Sequence, residues 1–154
     1  MEDRYLFKAK RSDNGEWVQG YYCKWLKGKR VVTYSENETD CIITWMSNGG
    51  MSRYEVDPST ICQCTGLKGK NGNLIWENDI VKKDFYTDYD AYANSEKYVG
   101  VVKFIDCAWA VETFRYEHKC TRPIFEAMAY SEDVKHFEVI GNIFDNPELL
   151  ESEG

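Results

Sequence analysis

The side chains whose types and spacing could do chemistry fall into separate groups. Lys24, Lys27, Lys29 and Arg30 surround Trp25 near Gly28. Cations interleaved with an aromatic are how single-stranded nucleic acid is gripped, lysines on phosphate and the ring under a base. The same arrangement also suits a hairpin tip whose lysines guard a strand edge against aggregation. Lys68 and Lys70, with the amides of Gly66 and Gly69, could cradle an anion. Such a loop needs the amino terminus of a helix behind it, and the residues that follow read as strand, so a structural turn is expected instead. His118 and Cys120, with Cys107, have metal-ligand character, and His118 could serve as a base. Neither spacing nor ligand number matches a closed zinc site, and the histidine has no placed partner. His136 is expected to face solvent or pack beside a strand. The expectation is no metal, no cofactor and no catalytic constellation.

Six cysteines stand at positions 23, 41, 62, 64, 107 and 120. They form no Cys-x-x-Cys motif, and the amino terminus has no signal pattern, so thiols acting as small hydrophobes in a reducing compartment are expected. The aspartates between Asp84 and Asp90 lack the donor alternation, central glycine and terminal glutamate of a calcium loop. That segment, through Ser95, reads as a variable insertion. No apolar run approaches membrane-span length, and the expectation is a cytoplasmic protein. The formal charge of −7 opposes non-specific nucleic-acid binding. Charge is unevenly spread: residues 1–30 carry eight basic and four acidic side chains, whereas residues 131–154 carry one and seven.

The elements that must position these groups read as strands. With 154 residues, 43% hydrophobic and 15% aromatic, the chain suits one domain with a sizeable core. Aromatic and β-branched enrichment with three prolines favours strands over a helical bundle. Tyr5–Lys10 and Trp17–Cys23 read as a hairpin across Ser12–Gly15, and Gly20 marks a bulge or a close backbone approach. Val31–Tyr34, Cys41–Trp45 and Ile61–Cys64 are further strands, and Asn48-Gly49-Gly50 is a loop. Gly100–Phe104 and Trp109–Phe114 are strands joined at Asp106-Cys107, and Phe137–Phe144 closes the sheet. Little helix is expected. Trp76, Ile80, Val102, Trp109, Ile140 and Ile143 are the expected core.

Thr65–Val81, TGLKGKNGNLIWENDIV, is the densest signal. Asn71-Gly72 is a strong hairpin signal because both residues reach positive φ cheaply. Leu74–Trp76 is an apolar run, Glu77-Asn78 breaks it, and Asp79-Ile80-Val81 begins another strand. Thr65-Gly66-Leu67, the Asn71-Gly72 turn, Trp76, Glu77 and Asp79-Ile80-Val81 resemble the signature of the YopX family of bacteriophage and prophage proteins. The terminal block from Val139 to Leu150, with Gly141, Asn142 and Pro147, resembles that family's second motif. Asn78 and Gly69 depart from it, standing where relatives often have glycine and aspartate. These motif residues are expected to be structural.

The resemblance implies a mainly β phage or prophage protein with no settled reaction, acting inside a bacterial host. One YopX-like domain is expected over residues 1–154. It comprises an amino-terminal β part, 1–64, and a part resembling an SH3-like barrel, 65–154, built as an antiparallel meander. Three functions are weighed: a non-enzymatic module binding a host or phage protein through exposed aromatics, a nucleic-acid accessory using residues 24–30, and a hydrolase or metal enzyme. The first is preferred and nucleic acid is the alternative. A homo-oligomer is left open.

Overall fold

The computed structural model describes residues 3–26, 38–83, 98–113, 124–127 and 134–150. The chain divides into two compact units, Met1–Cys64 and Thr65–Gly154. Regular structure among the described residues is strand and short 3-10 turns, with no helix of seven or more residues.

In the first unit, a 3-10 turn at Asp3–Tyr5 leads into strand β1 (Phe7–Lys10) and strand β2 (Trp17–Leu26). Strands β3 (Glu38–Trp45) and β4 (Met51–Glu55) follow, then a 3-10 turn at Pro58–Thr60 and strand β5 (Cys62–Lys68). The order is β4-β3-β2-β1-β5, antiparallel throughout. Each turn has a local cause. Gly15 supplies the positive φ between β1 and β2, and Gly49 does so between β3 and β4. Asp57 caps the 3-10 turn by accepting from the Ser59 amide at 2.9 Å. Gly20 is a close approach rather than a matter of φ, because a Cβ there would lie 2.1 Å from the Ile43 carbonyl oxygen. Ala9, Ile42 and Val56 form the core, with Phe7, Val18, Tyr22 and Ile61 packed against them.

The second unit takes the later residues of β5 and pairs them with strand β6 (Leu74–Trp76). Its main sheet contains β7 (Asp79–Lys83), β8 (Tyr98–Ile105), β9 (Ala108–Thr113), β10 (Ile124–Ala127) and β11 (Phe137–Asn142). The order is β10-β9-β8-β7-β11, all antiparallel, and the sheet is not a closed barrel. Ile75, Val81, Val102, Val111, Val134 and Phe137 fill the core, with Leu67, Trp109 and Val139 packed around it. Of the expected core, Trp76, Ile80 and Val102 are buried. Trp109, Ile140 and Ile143 are only partly so. The reason at Ile140 is a bulge: Val139 pairs with Val81 and Gly141 with Ile80, so Ile140 stands opposite no residue of β7.

The corrections to the strand reading are local. Tyr5 lies in a 3-10 turn rather than in the first strand. Residues 51–55, unassigned from sequence, form β4. Val31–Tyr34 and the insertion at 84–97 lie outside the described residues.

Candidate interaction surface

The period of a strand decides what residues near Trp25 can do together. Tyr21 pairs with Ile43, Cys23 with Cys41 and Trp25 with Thr39; Ile43 pairs with Arg53, Cys41 with Glu55 and Trp45 with Met51. Successive side chains point to opposite faces. One face of the sheet therefore collects Trp17, Tyr21, Cys23 and Trp25 from β2, Cys41, Ile43 and Trp45 from β3, and Met51, Arg53 and Glu55 from β4. Lys8 and Lys10 of β1 share it, since Lys8 pairs with Gln19 and Lys10 with Trp17. The opposite face carries Phe7, Ala9, Val18, Tyr22, Ile42 and Val56, and is the core side.

Rings and cations alternate across the first face. Lys8 and Lys10 place Nζ 5.2 and 5.5 Å from the Trp17 ring. Arg53 stacks its guanidinium 4.0 Å over Trp25, an attraction between a cation and the negative face of an indole. Trp45 is 64% exposed and its cross-strand partner Met51 52%. At the edge strand β4, residues of both faces meet: Arg11, Ser12, Asp13, Arg53, Tyr54 and Glu55 line a surface depression of about 530 Å³. Arg11 grips Asp13 with two hydrogen bonds, at 2.9 and 2.5 Å, and lies 4.6 Å over the Tyr54 ring. The guanidinium holds the Asp13 carboxyl below its ordinary range.

Lys24, one residue from Trp25, is on the other face. Its Nζ lies 3.6 Å from Asp40 and 3.9 Å from Glu38. Asp40 also accepts the Tyr22 hydroxyl at 2.5 Å. That hydrogen bond, with desolvation and the nearby negative charge, pushes the tyrosine up to about 12. The sequence cluster is thus divided: Trp25 meets Arg53 on one side, and Lys24 meets carboxylates on the other. Lys27, Lys29 and Arg30 lie outside the described residues, as do His118 and Cys120. Cys107 is exposed in the β8–β9 turn, and His136 is exposed before β11.

The dense signature is used by the backbone. The Gly69 amide, one of the two that could cradle an anion, donates instead to Asn73 O at 3.0 Å, and the Lys70 amide donates to Phe137 O at 2.7 Å. Gly72 turns the chain with φ 75°. Thr65 Oγ1 donates to Ile75 O at 2.7 Å and accepts from the Leu67 amide at 3.1 Å, tying β5 to β6. Buried Asp79 accepts from the Trp76 amide at 2.9 Å across the next turn. Asn78 holds that turn with φ 65° and accepts from Lys103 Nζ at 2.6 Å. In the second block, Asn142 Oδ1 accepts from the Phe144 and Asp145 amides, each at 3.0 Å. A Cβ on Gly141 would meet Asn146 at 2.6 Å, and Pro147 opens the final 3-10 turn, Pro147–Leu150.

Sequence reasoning missed Met51 and Arg53, and with them the pairing that exposes Trp45. Only the turn was signalled: Asn48-Gly49-Gly50 after Cys41–Trp45 is a hairpin turn pattern, while Met51–Glu55 carries no apolar alternation to mark a returning strand.

Together these features define a mainly antiparallel β protein whose densest sequence signature builds turns. The chain belongs to the YopX family: the model of that family, described as YopX protein, matches residues 7–151. A comparison with curated proteins finds no match. Among the described residues no helix is long and apolar enough to cross a membrane.

Proposed function

We propose that this chain is a phage- or prophage-encoded, non-enzymatic interaction module that acts in the cytoplasm of a bacterial host. It docks a protein partner on the aromatic face of β2, β3 and β4. The observation that carries this reading is the exposed Trp45–Met51 pair beside the Trp25–Arg53 stack. Aromatic residues, Met and Arg are the types enriched where proteins meet, and clustered exposed apolar side chains mark such sites. Lys8, Lys10 and Arg53 outnumber Glu55 on this face, which suits a partner with an apolar patch and an acidic rim. The nucleic-acid alternative is less favoured because Lys24 is engaged by Asp40 and Glu38, away from Trp25. The second unit is read as an opened SH3-like sheet. Support comes from its meander, with β11 returning beside β7.

The test places a photo-crosslinking residue at position 45 and irradiates phage-bearing cells that express the full chain. A single protein crosslinked by the parent and lost on Met51→Asp is the expected result. In parallel, the purified chain is titrated with labelled single- and double-stranded DNA and with RNA at low salt. Micromolar binding that weakens with salt and disappears in Trp25→Ala would overturn the protein-partner reading.

A further inference from the structure

The face that carries the proposed docking residues also holds two cysteines placed directly across from one another. Cys23 of β2 is the register partner of Cys41 of β3, and both are present as thiols. Val56 donates its amide to Asp40 O, so Asp40 turns its polar backbone groups to β4 and Cys41 turns its own to β2. Cys23 and Cys41 are thus a hydrogen-bonded pair, whose Cα atoms stand roughly 5.5 Å apart. A disulfide spans roughly 4.4–6.8 Å between Cα atoms. The Cα spacing lies within that reach, and closure has to draw the two Cβ atoms together from the wider spacing of a hydrogen-bonded pair.

Its surroundings set an order of events. Cys41 is 1% exposed, while Cys23 is half-buried. The register explains the difference. Trp25 stands one same-face step beyond Cys23 on β2, and Arg53 one step from Glu55 on β4, in the opposite direction along the sheet. The line of their 4.0 Å stack crosses β3 at Cys41. The indole and guanidinium thus roof Cys41 and leave Cys23 as the reachable sulfur.

We propose that Cys23 and Cys41 are a dithiol modification site, which a low-molecular-weight disulfide of the glutathione class oxidises to a cross-strand disulfide. The Cys23 thiolate attacks one sulfur of the incoming disulfide; that S–S bond breaks and one small thiol leaves. The Cys41 sulfur then attacks the Cys23 sulfur of the mixed disulfide and expels the second small thiol. Two electrons pass from the protein to the reagent, and the two protein protons end on the two released thiols. Exchange of this kind depends on thiolate access and on which sulfur is attacked. The arrangement supplies one accessible and one resolving sulfur. Closure covalently locks β2 to β3 beneath the Trp25–Arg53 stack.

The experiment uses the full reduced chain in buffers of rising oxidised-to-reduced glutathione ratio. The reaction is stopped by alkylation and read by peptide mass mapping. The expected result is a Cys23–Cys41 linked peptide pair, two hydrogens lighter than the separate peptides and reversed by dithiothreitol. Cys41→Ser is expected to stop at one glutathione on Cys23. Cys23→Ser is expected to leave Cys41 unmodified while circular dichroism stays that of the parent, which keeps the test valid if Cys41→Ser folds poorly. The proposal is overturned if both cysteines are recovered alkylated in the most oxidising buffer. It is equally overturned if the glutathione adduct on Cys23 persists in the parent without a Cys23–Cys41 link, or if Cys41 takes up glutathione in Cys23→Ser.

Discussion

The two units differ in where they keep their information. In the second, the core is built from large aliphatic side chains and Phe137. Both sequence blocks are consumed in holding turns, a bulge and a 3-10 end. The first unit has a smaller core around Ala9, Ile42 and Val56, and no dense motif, yet it presents Trp25, Trp45 and Met51 to solvent. Dense spacing of Gly, Asn, Asp and Thr marks places where backbone geometry admits few alternatives. A recognition face asks only for side-chain type and alternation, so it leaves a fainter trace. The family signature therefore speaks mostly about folding, and the proposed docking face lies elsewhere.

The sharpest way to break this contrast is to truncate one tryptophan from each unit. Trp76 is buried in the signature, and Trp76→Ala should cost about 3–5 kcal/mol in urea unfolding. Trp45→Ala, on the exposed face, should stay within about 0.5 kcal/mol of the parent. Similar losses for the two would show that the face is structural. A Trp76→Ala protein that unfolds at the parent's midpoint would show that the signature anchors nothing.

A smaller effect tests whether the signature's polar residues serve the fold. Asp79 is buried and accepts the Trp76 amide. Asp79→Ala leaves that donor without its acceptor, at a cost of about 1–3 kcal/mol. Loss of partner crosslinking with full stability would instead assign Asp79 to recognition and undo the division between units.

Much of this was legible in the chain, and what was not has physical causes. The turn at Gly72 and the close approach at Gly20 follow from residue type, because few residues tolerate those backbones, whereas Cys107 holds φ 65° with a side chain that rarely enters that region. Asn78 holds φ 65°, and Asn is among the side chains that enter the left-handed region at modest cost. At Gly69 a Cβ would lie 2.6 Å from Phe137 O, so the turn needs a residue without one. β4 escaped because an edge strand reading Met-Ser-Arg-Tyr-Glu lacks the apolar alternation of a half-buried one. Ile140 was placed in the core because a bulge breaks the period of two on which that inference rests. Lys24 and Trp25 were grouped by proximity along the chain, whereas on a strand neighbours face apart.

The core side of the first unit gives a pH test that separates it from the exposed face. Folding raises the Tyr22 hydroxyl from 10.0 to about 12 through its bond to Asp40. The folded state then holds a proton that the unfolded chain releases first, so stability must fall as pH rises between those values. Below pH 10 the contribution is fully present. Tyr22→Phe should cost about 1 kcal/mol at neutral pH and flatten the alkaline decline. An unchanged alkaline slope in that variant would place the titration elsewhere.

The smallest effect concerns Lys24 and decides how the two faces divide the basic cluster. Its side chain is 55% exposed, and its carboxylate neighbours are 3.6 and 3.9 Å away. Exposed pairs of this kind contribute about 0–1 kcal/mol and are screened by salt. Lys24→Ala should therefore lower stability by no more than about 1 kcal/mol, with the difference shrinking as salt is added. Because Lys24 lies on the face opposite Trp45 and Met51, the same change should leave partner crosslinking at position 45 intact. If Lys24→Ala removes that crosslink while Trp25→Ala does not, the partner is reading the carboxylate-lined side of β2. The docking face would then have to be moved to the other side of the strand.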